Sequence, residues 1–178
     1  MPRIVFAGAG GANFPRKLIN DVLTFEELLD SELVLLDVDA ERLAIIEKLT
    51  TRLKEQEGLP TTFIATTDRQ EALAGADYVI VCFQVGGLDA FELDVQIPLK
   101  HGVDQCVGDT LGPGGVFRGL RSIPAFCEIL DDMEQLCPQA LLLNYANPMA
   151  INCKAMRDYS DVISIGLCHG VQGTSRML

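Results

Sequence analysis

No apolar run in this 178-residue chain approaches the ~20 residues that a bilayer span needs. No signal-peptide pattern precedes the first strand-like run, which begins directly behind Met1-Pro2. Six cysteines are present (Cys82, Cys106, Cys127, Cys137, Cys153 and Cys168), none in a C-x-x-C pair and several in apolar segments. A soluble, cytoplasmic protein with reduced thiols is therefore expected. Basic residues are scarce. Fourteen Lys and Arg stand against 25 Asp and Glu, a net charge of −11 that repels nucleic acid and anionic membrane surfaces. An anionic small molecule is not excluded, since it needs only a locally positive pocket. Repeats, low-complexity tracts and Pro/Ser linkers are missing too, so one domain around one core is expected.

What is present is an alternation of short apolar runs with amphipathic segments. Arg3–Ala7, Glu32–Asp37, Thr62–Thr66, Tyr78–Phe83, Ala140–Ala146 and Val162–Leu167 read as strands. Their near-continuous apolar character predicts a parallel sheet covered on both faces. Phe14 to about Leu29 reads as a helix with Pro15 in its first turn. Asp39 can cap a second helix, in which Ile46, Leu49 and Leu53 recur at i, i+3 and i+7 and which Gly58 can end. A third runs over Phe126–Cys137, beginning near Pro124 and stopped by Pro138. The fold class this predicts is α/β: a doubly wound parallel sheet, Rossmann-like. The segment Asp104–Arg121 stands apart. "GDTLGPGGVFRGLR" holds five glycines and a proline and reads as a loop that closes over a ligand or makes tight backbone turns.

Several short stretches carry chemistry. "VFAGAGGANF" places Gly8, Gly10 and Gly11 between the first strand and a helix, where glycines allow a tight turn and let phosphate approach backbone N–H groups. Asn13 stands where G-x-G-x-x-G has its third glycine and could instead cap the helix. Asp37, at the end of the second strand, suits the adenosine ribose hydroxyls and would repel a 2′-phosphate, favouring NAD over NADP. The competing reading is a plain glycine turn with a solvated Asp37.

In "NYANPMA", Asn147 follows the fifth strand at the sheet edge where ligands bind, held extended by Pro148. The stretch serves equally as a turn with Asn147 capping a helix; a cis peptide before Pro148 would make the turn rigid. In "GLCHGVQGT", Cys168 could supply a thiolate to a divalent metal. An isolated cysteine is otherwise a small buried hydrophobe, and His169 a hydrogen-bonded loop residue. If the strand continues, adjacent Cys168 and His169 point to opposite faces and cannot share one metal.

Taken in order, "FAGAGGANF", "GDTLGPGGVFRGLRSIP", "NYANPMA" and "GLCHGVQGT" resemble the N-terminal part of glycoside hydrolase family 4, over essentially the whole chain. That family is an exception to two-carboxylate hydrolysis. The resemblance implies an NAD-dependent glycosidase that also needs a divalent metal, usually Mn²⁺. The implied route oxidises the sugar at C3, removes the C2 proton, eliminates the aglycone from C1, adds water and returns the hydride. It makes Gly8, Gly10 and Asp37 cofactor residues, Cys168 a metal ligand and Asn147 a substrate contact. Asp109 falls near the sugar, as an acid or as a hydroxyl ligand, and His169 lines the sugar site. Lactate and malate dehydrogenases are looser relatives, sharing the nucleotide fold and the Asn-Pro turn.

Cys-His-Gly resembles the α-galacturonidase and α-glucuronidase types. Gly170 leaves room and exposes a backbone N–H for a C6 carboxylate, with Arg118 and Arg121 as candidate counter-charges; the competing reading of both is a solvated arginine at a helix start. The alternatives are a neutral-sugar α-galactosidase or α-glucosidase of the same family, a 2-hydroxy acid dehydrogenase, or a non-catalytic NAD-binding module. The resemblance also implies that residues 1–178 are an NAD-binding domain ending before a C-terminal substrate and metal domain. A histidine ligand and the C2 base are expected in that second part. The chain alone is expected to bind NAD weakly or not at all and to lack glycosidase activity. The full-length form is expected to be a dimer or tetramer acting on a small α-glycoside.

Overall fold

Buried parallel strands are recognisable because both faces of each must be apolar. A computed structural model of the chain describes every residue but Ala12, and only the backbone of Val171 and Gln172. Strands β1 (Arg3–Ala7), β2 (Glu32–Leu36), β3 (Thr62–Thr66), β4 (Tyr78–Val81), β5 (Leu141–Asn144) and β6 (Ser164–Gly166) form one parallel sheet in the order β3-β2-β1-β4-β5-β6. The order reverses between β1 and β4, which defines a doubly wound α/β fold with its ligand crevice at that point. Among the described residues no helix is long and apolar enough to cross a membrane.

Alternate residues of each strand feed two cores. Val5 and Ala7 of β1 join Val34 and Leu36 of β2 on one face. That face is covered by α3 (Arg69–Leu73), α5 (Gly112–Leu136) and α6 (Met149–Tyr159). Ile4 and Phe6 join Leu33 and Leu35 on the other, beneath α1 (Phe14–Val22) and α2 (Ala40–Glu57). Phe6, Leu33, Leu35, Leu130 and Leu142 are wholly buried. Each such side chain contributes roughly 1.5–3 kcal/mol by leaving water. Helix α4 (Gly87–Lys100) packs on α5, and α7 (His169–Met177) follows β6.

The caps of α2 are as expected: the Asp39 carboxylate accepts from the N–H groups of Glu41 and Arg42, and Gly58 ends the helix in the left-handed region at φ 63°. Its buried face keeps the expected Ile46 but is rotated away from Leu49. Leu43, Ile46 and Thr50 point inward, and Leu49 is exposed. Thr50 can be buried because its hydroxyl donates to the carbonyls of Ile46 and Glu47.

Helix α1 ends at Val22 rather than near Leu29. The N–H and hydroxyl of Thr24 both turn back to the Asp21 carbonyl, and a separate 3-10 turn covers Glu26–Leu28.

The largest correction concerns Asp104–Arg121. From Gly112 onward this segment is helix, and α5 begins there instead of near Pro124. Its glycines serve close backbone approach. A Cβ at Gly114 would lie 2.8 Å from the Gly108 carbonyl oxygen, and one at Gly115 2.8 Å from the carbonyl carbon of Thr110. The preceding loop therefore lies directly against the first turns of the helix. A Cβ at Gly119 would lie 2.9 Å from Ile151 Cγ2 and 3.4 Å from Pro148 Cγ, so the turn after β5 seats on the same helix.

Candidate active site

The turn from β1 to α1 is fixed by its backbone. The N–H groups of Gly8 and Ala9 both donate to the Leu36 carbonyl, at 2.9 and 3.0 Å. Gly8 has φ 95°, and a Cβ there would lie 2.6 Å from the Phe83 nitrogen. The Gly10 N–H donates to Asp37 Oδ2 at 2.7 Å, and the Asp39 N–H to Oδ1 at 2.9 Å. Asp37 is thus part of the turn rather than simply solvated, and each of its oxygens keeps a lone pair for a further donor. Gly11 lies against Pro15, whose Cδ would be 3.0 Å from an added Cβ. Asn13 occupies the N-cap position with helical dihedrals and no side-chain cap bond, so the capping expectation fails. The first N–H groups of α1 consequently lack a side-chain acceptor there, the arrangement an anionic phosphate needs.

Above this turn lies a cavity of about 470 Å³ at the β1/β4 reversal, lined among others by Gly8, Asp37, Val38, Phe83, Gln84 and Ile129. The size falls within the roughly 300–1,000 Å³ of small-ligand sites. Arg69, on its wall, is held by Asp132 at 2.5 Å and Glu128 at 2.7 Å. The wall therefore offers a carboxylate and a neutralised arginine, which suits a ribose diol and not a 2′-phosphate. Beneath it, the Cys82 thiol contacts the carbonyls of Ala7 and Gly8 at 3.5 and 3.6 Å. Burial, reinforced by Asp37, pushes this thiol up to about 12, so it stays protonated. The glycine turn, Asp37 and the cavity together fit the adenosine and pyrophosphate of a dinucleotide.

Beside the cavity, three residues singled out in the sequence converge. Asp109 Oδ2 accepts from Arg118 Nη1 and from Asn147 Nδ2, both at 2.9 Å. The Thr110 hydroxyl donates to Asp109 Oδ1 at 3.1 Å. Arg118 Nη2 donates to Gln84 Oε1 at 3.2 Å. Arg118 is only 9% exposed. Its burial lowers its pKa while Asp109 and Asp94 oppose that shift, and the guanidinium stays charged. Arg121 grips the buried Asp94 with both terminal nitrogens, at 2.7 and 2.5 Å, a hydrogen-bonded pairing that raises its pKa. Both arginines expected as counter-charges for a substrate carboxylate are therefore paired within the chain.

The Asn147–Pro148 peptide is cis, as the rigid-turn reading anticipated. Pro148 itself holds the N-cap position of α6, so Asn147 is not the cap and its amide is free for Asp109. The turn is braced from below. Asn144 Oδ1 accepts from the Ala146 N–H at 2.8 Å, and Asn152 Nδ2 donates to the Ala146 carbonyl at 3.2 Å.

Cys168 and His169 do not continue a strand. β6 stops at Gly166, Cys168 is the extended N-cap residue of α7, and His169 is its first helical residue. Cys168 is exposed, which removes the reading of a buried hydrophobe. The His169 ring lies edge-on to Phe14 at 5.3 Å and tilted against Tyr145 at 5.7 Å, which brings it to the β5 turn that carries Asn147. Gly170 lies beside the thiol: a Cβ there would be in ordinary contact with Cys168 Sγ at 3.4 Å. Val171 and Gln172 of the same motif have side chains outside the described residues. Among the described residues, no group of three or more His, Cys, Asp and Glu side chains is placed to hold a metal ion. Cys168 is one donor, not a ligand set.

Gln84 and Asp94 were not apparent in the sequence. Each sits in or just before an ordinary amphipathic helix, and no spacing marks the arginine it meets. Tyr145 lay inside a quoted motif, but nothing local tied it to Phe14 and His169.

A glycine turn, a terminal strand acid and a crevice at the sheet's reversal define a doubly wound, Rossmann-like α/β fold, here with a polar cluster beside the crevice. The particular family follows from sequence: the family described as Family 4 glycosyl hydrolase matches residues 3–178, and the chain belongs to it. It is 48% identical to an alpha-galactosidase of Rhizobium meliloti over 96% of this chain and 35% of that protein. It is 34% identical to an alpha-galacturonidase of Thermoanaerobacter italicus over 99% of this chain and 38% of that protein. Among solved structures, the 6-phospho-beta glucosidase of Thermotoga maritima with manganese, NAD⁺ and glucose-6-phosphate matches with a TM-score of 0.87 and 27% identity, covering 99% of this chain and 43% of that one. The chain thus spans well under half the length of the proteins it matches.

Proposed function

We propose that this chain is the nucleotide-holding part of an NAD- and divalent-metal-dependent glycosidase that cleaves α-glycosides. The observation that carries the reading is the adjacency of two sites. Gln84 lines the dinucleotide-sized crevice and at the same time bonds Arg118 of the Asp109–Asn147 cluster. NAD⁺, when bound, supplies the hydride acceptor for oxidation of a sugar carbinol. The residues of this chain do the rest of what is assigned to it. Gly8, Gly10, Gly11 and Asn13 keep α1 open to the pyrophosphate, and Asp37 receives the ribose hydroxyls. Asp109 and Asn147 meet the sugar hydroxyls, with Asp109 offering a lone pair of Oδ1. His169, tilted against Tyr145, walls the sugar site. Cys168 offers a thiolate to Mn²⁺, the other ligands coming from outside the described residues. The exposed Leu88, Leu93, Val116 and Leu120 of α4 and α5 suit a homo-oligomer, a dimer or tetramer.

For the sugar, a neutral α-galactoside is the better-supported substrate. Arg118 and Arg121 are neutralised by Asp109 and Asp94 and have no charge to spare for a uronate. The higher identity to the Rhizobium alpha-galactosidase points the same way. An α-galacturonide is the second reading, favoured by the open space and N–H that Gly170 leaves beside Cys168. The test uses a family-length protein carrying this chain, with NAD⁺, Mn²⁺ and a thiol reductant, and compares cleavage of the two glycosides. Preferred cleavage of the α-galactoside, lost with chelator, is expected. Preference for the uronide would replace the first reading by the second, and cleavage of neither would reject the glycosidase.

A further inference from the structure

We propose that Arg118 is a positioning residue: it fixes the Asp109 carboxylate and ties it through Gln84 to the wall of the nucleotide crevice, without itself touching the sugar. The proposal rests on the glycosidase reading for its kinetic consequences but on geometry for its substance.

Arg118 projects from α5 and joins two segments far away in sequence. One terminal nitrogen donates to Asp109, in the loop before the helix, and the other to Gln84, in the loop after β4. Gln84 is itself oriented, because its Nε2 donates to the Gly87 carbonyl at 2.9 Å. The guanidinium also lies over the Phe91 ring, 5.9 Å from its centroid. Nε is buried with no acceptor among the described residues, so the polar hold on the side chain comes from its two terminal nitrogens. A planar fork used in this way fixes orientation as well as charge, which a lysine ammonium cannot do.

The consequence falls on Asp109. Its Oδ2 receives both Arg118 and Asn147, while Oδ1 meets only the neighbouring Thr110 hydroxyl among the described contacts. Arg118, together with Asn147, therefore determines which carboxylate oxygen is left for a sugar hydroxyl. Because the same side chain reaches Gln84, the reacting end of a sugar on Asp109 is held in register with a nucleotide in the crevice. Such registration matters steeply, since a misplacement of about 1 Å can cost about 10²-fold in rate.

The experiment uses the family-length protein with Arg118→Met, Arg118→Lys, Asp109→Asn and the Met/Asn double variant. On whichever glycoside the unaltered enzyme cleaves, Arg118→Met is expected to lower kcat by about 10²-fold and to move KM by no more than about threefold, with Arg118→Lys in between. A tenfold or larger rise in KM with kcat retained would show a substrate contact and overturn the proposal. A second readout needs no turnover. In denaturant unfolding, the single variants are expected to be non-additive by about tenfold in the unfolding constant, and strict additivity would overturn the pairing. Should the unaltered enzyme cleave no glycoside, the glycosidase reading falls, and the unfolding cycle still decides the role of Arg118. If Arg118→Met does not fold, the lysine variant carries both readouts.

Discussion

Replacing Gly8 with alanine separates two costs that the β1 turn combines. The first is backbone conformation: Gly8 has φ 95°, and an L-residue held at positive φ costs about 1–2 kcal/mol. The second is collision. The new Cβ would lie 2.6 Å from the Phe83 nitrogen and 2.8 Å from its Cα, and these are backbone atoms that cannot rotate away. Forcing such a contact costs about 1–3 kcal/mol more, so Gly8→Ala is expected to destabilise by about 2–5 kcal/mol in all. Gly58→Ala is the internal control. Its φ is 63°, but an added Cβ meets nothing within 4 Å, so only the conformational cost applies.

With a urea slope of about 2 kcal/mol/M, the Gly8 variant should lose about 1–2.5 M in midpoint and the Gly58 variant about 0.5–1 M. Phe83 also walls the crevice, so Gly8→Ala should weaken NAD⁺ binding by family-length protein tenfold or more in titration calorimetry, while Gly58→Ala should not. Equal midpoint shifts for the two variants, or unchanged NAD⁺ affinity at Gly8, would refute the reasoning.

Three further expectations concern Cys82 and Asp37 of the same region. Cys82 has a folded pKa raised from the ordinary 9.0 to about 12, mainly by burial. The unfolded chain therefore gives up the thiol proton first as pH rises. The contribution of this group is complete below about pH 9 and is lost as pH climbs towards about 12, by on the order of 4 kcal/mol at most. Cys82→Ala should flatten that alkaline decline in unfolding experiments. At neutral pH, mass-resolved alkylation should label exposed Cys106 and Cys168 before Cys82. Asp37→Ala removes the acceptor of two backbone N–H groups and, on the proposed function, that of the ribose. NAD⁺ affinity should fall about 10- to 100-fold and discrimination against NADP⁺ should narrow, both measurable by calorimetry.

The strands were legible because a parallel sheet buried on both faces leaves runs such as "RIVFA" and "YVIVCF" with few alternatives. The caps of α2 were legible because Asp39 and Gly58 act locally. The helical part of "GDTLGPGGVFRGLR" was not, since glycine propensity argues against helix while the decisive terms are tertiary. Gly114, Gly115 and Gly119 each stand where a Cβ would strike another segment. The site was legible motif by motif but not as an arrangement. Asp109, Arg118 and Asn147 were candidates on separate grounds, and nothing in their spacing says that one carboxylate oxygen receives both donors. Hence Arg118 read as a free counter-charge. The last strand was read too long: the apolar run Val162–Leu167 exceeds β6 itself, whose backbone pairing ends at Gly166, so the case of a strand continuing through Cys168 and His169 does not arise.

The central claim is that this chain serves a glycosidase working through sugar oxidation and C2 deprotonation, not through a pair of carboxylates. Hydrolysis of an α-galactoside by the family-length protein in D₂O, with NAD⁺ and Mn²⁺, tests this directly by NMR of the released sugar. Deuterium at C2 of the product is the predicted result, because the proton removed there is replaced from solvent. Released galactose that keeps its original hydrogen at C2, formed equally fast without NAD⁺, would contradict the account.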